Sequence, residues 1–508
     1  MSGKYIIKSK NLIRKILKKI ITADKMVNEY KRLSKTPAMP ANAFMNAAGS
    51  MYMMGCFKEA EDLLRNAVCF PTKASNALIN LGIIKQTIGD YKQAQKFYLA
   101  AYKKDKKNTK ALSLWGNCLA LTGKPEEAVT KYKHALKINQ EDADVYLSWG
   151  ALLIKQKEYK EAKEKLELAL KYNTTDARPL YMLAIVEIEM CDFDSALDKL
   201  FLVINSTENN FEALHNIAYI YFRKKDYDNA ILYAKQSLDI FKHKVETYLL
   251  LGDIYAIKNK EKEALQYYET AEKNNLKTFF LYMSWAVSLQ KFNRHNEAIQ
   301  KLHSANNCLS AKKVDEVYAR LALSYLKTDQ IELAVKNKDK ALEINPENHM
   351  ANSVAAEIEI LNNNPASALK YLEKCENDFE NKGYNSMLKA VCYSKLNDSE
   401  NAEQLFEKAL SYSPDNEEIL VKYGTFLNDI QNYELTVKRL KSVCKKTKNG
   451  MLLNLYFIAS YNLAKQNGYK YNIKNAVEAA EKAELLYGAV FPYKKEGDEL
   501  RGLLQDYE

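Results

Sequence analysis

Small residues recur along the chain at a fixed interval. Gly82, Ala94 and Ala101 are followed 34 residues later by Gly116, Ala128 and Ala135, and again by Gly150, Ala162 and Ala169. The same anchor continues at Ala184, Ala218, Gly252 and Ala286, and an earlier unit fits at Ala48, Ala60 and Ala67. The next step, to Ala322, is 36 residues, so two extra residues lie near 306–313. The period then resumes at Ala356, Ala390 and Gly424, and a looser unit starts near Ala459 with extra residues around 466–474. About 13 units therefore run from roughly residue 40 to 486.

With the Gly/Ala anchor as position 8, position 7 is large and apolar: Leu81, Trp115, Trp149, Leu183, Ile217, Leu251, Trp285, Leu321. Position 4 is Leu or Tyr in most units, from Leu78 and Leu112 to Tyr282 and Tyr318. Spacings of three and four place positions 4, 7, 8 and 11 on one helical face. Position 15 holds Gly55, Gly89, Gly123, Asn293, Asp329, Asn363 and Asn397, residues that tolerate the left-handed backbone ending a helix. A second helix follows, with Ala at position 20 and a small residue at position 27. The small residues belong where two helix axes approach to about 8–10 Å. Proline agrees: Pro125, Pro365 and Pro179 fall in first turns, and none of the nine falls mid-helix. The pattern predicts two helices per unit and no strands.

The pattern resembles the tetratricopeptide repeat (TPR) family over about 450 residues. The resemblance implies an all-α, right-handed α-solenoid of about 13 tandem helix-turn-helix units, with the first helix of each unit lining a concave groove. We expect a basic arm over 1–36, the solenoid over 37–486 and a capping helix over 487–508. Asn352 and Ser386 at position 4, Lys389 at position 7 and Thr436 at position 20 depart from the pattern and suggest looser packing in the last third.

Charge separates the arm from the body. Residues 1–40 hold eleven basic and two acidic side chains, so nine of the eleven net positive charges sit there and the body is nearly neutral. Such a body argues against nucleic-acid binding, which needs a clustered basic face. Along residues 4–21, Ile6, Leu12, Ile13, Ile16, Leu17 and Ile20 share one helical side. Lys8, Arg14, Lys15, Lys18 and Lys19 form the candidate membrane- or partner-binding arm. Three readings stay open: a cap on the first repeat, a helix on an anionic membrane surface, or an arm that binds a partner or nucleic acid.

Position 2 is often acidic (Asp144, Glu212, Glu246, Glu316, Glu418) and position 13 often basic (Lys155, Arg223, Lys291, Lys327, Lys395). These signs complement the helix macrodipole, and they would equally form two stripes along a groove. The eight cysteines are scattered as in a reducing compartment, and the six histidines show no metal spacing. No phosphate loop or nucleophile motif appears, and the repeats leave no room for a catalytic domain. The expectation is a non-enzymatic scaffold or adaptor without cofactor or metal, in the cytoplasm, peripheral to a membrane if the arm anchors it. The alternatives are a membrane-anchored solenoid and a regulatory or substrate-recruiting subunit of a separate enzyme.

The resemblance assigns positions 2, 5, 9 and 12 to the concave face. The candidate peptide groove is then Ile79, Ile83, Leu147, Tyr181, Ile185, Tyr219, Phe222, Leu249 and Met283. Asn117 and Arg178 are isolated fragments of the carboxylate clamp that some family members carry. Asn46, Asn80 and Asn216 are too few for an asparagine ladder.

Overall fold

The first helices begin at residues 41, 74, 109, 143, 177, 211, 245, 279, 315, 349, 382, 417 and 450, each within two residues of the start the period predicts. Each is followed by its partner, giving 13 helix pairs and a final helix, Lys494–Asp506. The computed structural model describes residues 41–206, 210–308, 314–378, 381–467, 470–487 and 492–506. Among them there are 27 helices and no strand. The basic arm lies outside the described residues.

One turn repeats almost unchanged. Position 15 has positive φ in each of the first twelve units. Gly55, Gly89 and Gly123 adopt it without steric cost, and Asn293, Asp329, Asn363 and Asn397 behave as predicted. Lys157, Cys191, Lys225, Asn259 and Gln431 adopt it too, although the first three and Gln431 do not favour it. The hydrogen bonds explain why. The next N–H reaches back to close the helix end, as in Asp90 N–H to Lys85 O at 2.8 Å and Asp226 N–H to Tyr221 O at 2.9 Å. Side chains then cap the helix that follows: Asp90 accepts from Gln93 N–H and Asp226 from Asn229 N–H.

In three pairs the core shows a size reciprocity between positions 8 and 24, although Gly150 and Gly424 face Leu166 and Leu440 and Ala390 precedes Phe406 by the same interval. A Cβ at Gly82, Gly116 or Gly252 would lie 2.4, 2.5 and 2.4 Å from the rings of Tyr98, Tyr132 and Tyr268. All three tyrosines are fully buried. Where position 8 is alanine, the facing residue is commonly leucine, as in Ala184 with Leu200 and Ala286 with Leu302, all buried. Glycine here makes room for a ring rather than supplying flexibility.

The helices form two compact units, Met1–Lys242 and His243–Glu508. Within the first, Thr109–Leu121 packs on Ala143–Lys155, so first helices of successive pairs touch. Within the second, Asp315–Lys327 packs most intimately on His349–Leu361. Second helices pack on first helices instead of on one another, which puts the first helices on the tighter side of each unit.

The expected looser packing of the last third holds at one place, where Ser386 and Lys389 line an unfilled volume, and not along the rest of it. One continuous hydrophobic cluster runs from Ala356 to Leu500. Asn352 and Thr436 are fully buried, with Asn352 donating to the carbonyls of Pro346 and Asn348 and Thr436 to that of Asn432. Backbone carbonyls satisfy the Asn352 amide nitrogen and the Thr436 hydroxyl, whereas the Asn352 Oδ1 is buried without a hydrogen-bond partner among the described residues. At the end of the array, Lys494–Asp506 packs on Lys470–Tyr487 and buries Leu500, with Arg501 bound to Glu484 at 2.7 Å.

Candidate functional site

The tighter side carries positions 5, 6, 9, 12 and 13 of the first helices. In the first compact unit its floor is a series of neutral hydrogen bonds across adjacent pairs. Tyr52 and Thr87 meet at 2.9 Å. Ser113 and Asn117 both donate to Ser148, at 3.1 and 3.2 Å. Asn216 donates to the Tyr181 hydroxyl at 3.1 Å. The buried rings join the same floor: Tyr98 donates to Gln86 at 3.0 Å and Tyr132 to Asn117 at 2.6 Å.

Two clefts open between these helices. One, of about 180 Å³, is lined by Gly49, Tyr52, Asn80, Ile83 and Ile84. The other, of about 200 Å³, is lined by Asn117, Ala120, Leu121, Ser148, Ala151 and Lys155. Small residues at positions 9 and 12 create both, because a short side chain there leaves the space between two helices unfilled. Further along, Arg223 lies 5.6 Å from the Phe193 ring and 5.8 Å from the Tyr219 ring and donates to the Tyr219 hydroxyl at 2.9 Å. Phe222 packs near Tyr227, with ring centroids 6.2 Å apart.

The candidate groove residues divide by burial. Ile79 and Leu147 are buried in the helix packing. Ile83, Tyr181, Ile185, Tyr219 and Phe222 are half-buried on the first unit, with Tyr181, Ile185 and Tyr219 in one hydrophobic cluster. Leu249 and Met283 are half-buried on the second. Burial raises the pKa of the Tyr181 hydroxyl, as does nearby Glu212, against the lowering effect of Asn216, so it remains a neutral donor.

The same side of the second unit is held by charge. Lys327 donates to Glu357 and Glu418, both at 3.0 Å, and to the Tyr384 hydroxyl at 3.2 Å. Tyr384 in turn donates to Glu357 at 2.5 Å. The group links the pairs beginning at 315, 349, 382 and 417, so a position-13 lysine meets a position-2 acid three repeats on. Burial pulls the Lys327 ammonium down, but the two carboxylates outweigh it and hold its pKa above the ordinary lysine value. His295 lies close by, its pKa lowered by burial and by Lys327, against the opposite pull of Glu418. Asp253 shows the same preference for ionisable groups: it accepts from Tyr268 at 2.6 Å, and burial raises its pKa to about 6 against the lowering effect of that bond.

Three of the position-13 lysines reach other repeats, but to different partners. Lys291 donates to the Ala256 carbonyl in the preceding pair at 2.6 Å and Lys395 to the Asn363 side-chain oxygen in the preceding pair at 3.0 Å. Lys327 meets carboxylates instead. Arg178 is bound by Asp144 and Asp176, both at 2.7 Å. Among the described residues, no group of three or more His, Cys, Asp or Glu is placed to hold a metal ion, and no helix is long and apolar enough to cross a membrane.

Three family models match the sequence. Two are described as tetratricopeptide repeat, over residues 209–277 and over 315–348 with 386–416. The third is described as the ARM repeat of tetratricopeptide repeat protein 21 and matches 90–236. No curated protein matches. Among solved structures, pilF of Pseudomonas aeruginosa is 19% identical with a TM-score of 0.38, over 42% of this chain and 98% of its own. A chain of the APC/C hetero-tetramer Cut9–Hcn1 is 12% identical with a TM-score of 0.44, over 86% of this chain and 99% of its own. YrrB, described as a TPR protein with an unusual peptide-binding site, is 20% identical with a TM-score of 0.29, over 36% and 95%.

Proposed function

Starting from a chain that belongs to the tetratricopeptide repeat family, whose repeats serve as protein-interaction scaffolds, we propose a non-enzymatic adaptor that binds an extended or helical peptide on the inner side of its first compact unit. The observation that carries this reading is the half-buried aromatic patch of Tyr181, Ile185, Tyr219 and Phe222, whose hydroxyls are already fixed by Asn216 and Arg223. Side chains held before binding lose little entropy on binding. Rings of this kind serve as anchors, each costing about 1–3 kcal/mol on truncation. The near-neutral body gives this contact weak salt dependence. The test is affinity capture of a partner, followed by binding to a Tyr181→Ala, Tyr219→Ala, Phe222→Ala variant that retains the parent's helical circular dichroism. Loss of affinity supports the reading; unchanged affinity moves the site elsewhere.

The basic amphipathic pattern over 4–21 favours a second, separate contact, with anionic lipid. Sedimentation with phosphatidylserine vesicles, with and without residues 1–35, decides it: equal sedimentation of the two forms refutes the contact.

A further inference from the structure

The repeat pattern breaks most sharply where the tenth and eleventh pairs meet. The second helix of the tenth pair, Pro365–Glu373, has nine residues, whereas the other second helices have twelve to eighteen. The eleventh pair carries Ser386 and Lys389 where most pairs carry large apolar residues; the next pair has Leu420 and Tyr423 at these positions, both buried. The three departures coincide in space. Together they leave a cavity of about 310 Å³ between the two second helices and the first helix Lys382–Lys395, on the side away from the groove positions.

Its lining has a definite chemistry. Lys382, Lys389 and Lys408 face it with a single carboxylate, Glu376, which binds Lys389 at 3.1 Å. Asn385 and Ser386 are buried at its base, and Leu372 and Leu405 form an apolar flank. Asp378, behind Asn385, is occupied by the side-chain amide of Asn381 at 2.9 Å. The equivalent place between the twelfth and thirteenth pairs is nearly filled, with about 20 Å³ left beside Leu453 and Tyr456. It too is lined by three lysines, Lys441, Lys445 and Lys482, and one carboxylate, Glu478, so the open volume rather than the charge sets the first cavity apart; Lys482 is committed to the carbonyls of Cys444 and Lys445, both at 3.2 Å. Packing alone would favour the filled arrangement, because each unfilled volume and each half-buried lysine weakens the fold. A local rule broken three times at one place, without compensating packing, marks a functional site.

We propose that this cavity binds a compact anion, a phosphate monoester or a carboxylate, whose charge the lysines neutralise and whose carbon skeleton rests on Leu372 and Leu405. Ser386 supplies a neutral donor, Asn385 being held by Ser353 and Asp378, and ammonium-to-anion hydrogen bonds carry the affinity.

Calorimetric titration and thermal melting of the full chain with inorganic phosphate, phosphoserine and glutarate, at constant ionic strength, test this. At least one anion should bind saturably and raise Tm, and the phosphate and glutarate arms identify which acid the site takes. A Ser386→Leu, Lys389→Leu variant, which restores the repeat pattern, should melt at or above the parent and bind the same anion at least about tenfold more weakly. Lys408→Gln should weaken binding in the same direction and carries the test if the double variant does not fold. No saturable binding by any of the three anions, or unchanged affinity in a folded variant, overturns the proposal.

Discussion

Two repeats of the same design, one in each compact unit, differ by a single polar atom. In the third pair Gly116 admits the ring of Tyr132, whose hydroxyl donates to the Asn117 amide oxygen at 2.6 Å. In the seventh pair Gly252 admits Tyr268, whose hydroxyl donates to the Asp253 carboxylate at 2.6 Å. The geometry is the same, but one site is neutral and the other ionisable. The contrast extends beyond the pair. The first unit joins its inner helices through hydroxyls and amides, and the second adds the Lys327 network. The first unit does bury one carboxylate, Glu187, but it faces the second helices through Lys163 at 3.2 Å and Lys199 at 2.8 Å. One backbone plan therefore tolerates two electrostatic solutions at the ring socket, and the first unit's charged link between first helices, Arg178 to Asp144, lies at their exposed N-terminal ends.

The strongest way to break the contrast is to remove the central cation. Lys327→Met leaves Glu357 and Glu418 facing one another. The Lys327 side chain is 24% exposed and that of Glu418 45%, so we expect a loss below the range of a fully buried pair, about 2 to 3 kcal/mol. Urea unfolding at pH 7 measures it. Adding Glu357→Gln and Glu418→Gln to the same variant should recover most of the loss; no recovery would mean that the lysine acts by packing alone.

Next in size is Asp253→Asn. Burial raises this carboxyl from 3.8 to about 6 in the folded state. Below about pH 4 it is neutral in both states and costs nothing, and the penalty grows as pH rises to about 6 and persists above. The asparagine variant should therefore gain about 2 kcal/mol at pH 7 and nothing at pH 4. The converse change, Asn117→Asp, should introduce the same pH dependence into the first unit. Parallel stability-versus-pH curves for variant and parent would show that Asp253 is not held in the neutral-favouring site described.

A smaller effect tests the shared ring socket. Gly116→Ala places a methyl against Tyr132 and should cost about 1–2 kcal/mol by overpacking. Tyr132→Leu in the same chain should restore part of it, reproducing the Ala184–Leu200 pair. A lone alanine variant that melts like its parent refutes the reciprocity. The smallest effect is expected at the turn: Lys225→Gly, at φ 62°, should stabilise by about 0.5–1 kcal/mol, whereas glycine at solvent-facing Lys235 inside a helix should destabilise by a similar amount.

Helix positions were legible in the sequence because the small anchors at Ala48, Gly82 and their successors hold phase, and a 34-residue period leaves little freedom in where helices begin. The turn residues were legible where they are Gly, Asn or Asp. Lys157, Cys191, Lys225 and Gln431 were not, since the turn there is imposed by the packed helices and not by the residue. The ring at position 24 was missed although a signal existed: Tyr98, Tyr132 and Tyr268 each stand sixteen residues after a glycine anchor. The Lys327 network gave no local signal, because its partners are 30, 57 and 91 residues away. The repeat positions that the resemblance assigns to the concave face placed Ile79 beside Tyr219 in the candidate groove, yet of these two only Tyr219 is half-buried.

The left-handed turn at position 15 also acts as a ruler. It recurs through twelve pairs with one geometry, so each pair has a fixed internal length and cannot absorb an inserted residue without losing its closing hydrogen bond. Growth and loss of sequence are thereby confined to the joints between pairs, where the two extra residues near 306–313 lie. The thirteenth pair has no positive-φ residue among its described positions, and its helices, Gly450–Asn467 and Lys470–Tyr487, each run to 18 residues. An engineer seeking to extend, shorten or splice this array would cut at the joints and leave the turns intact.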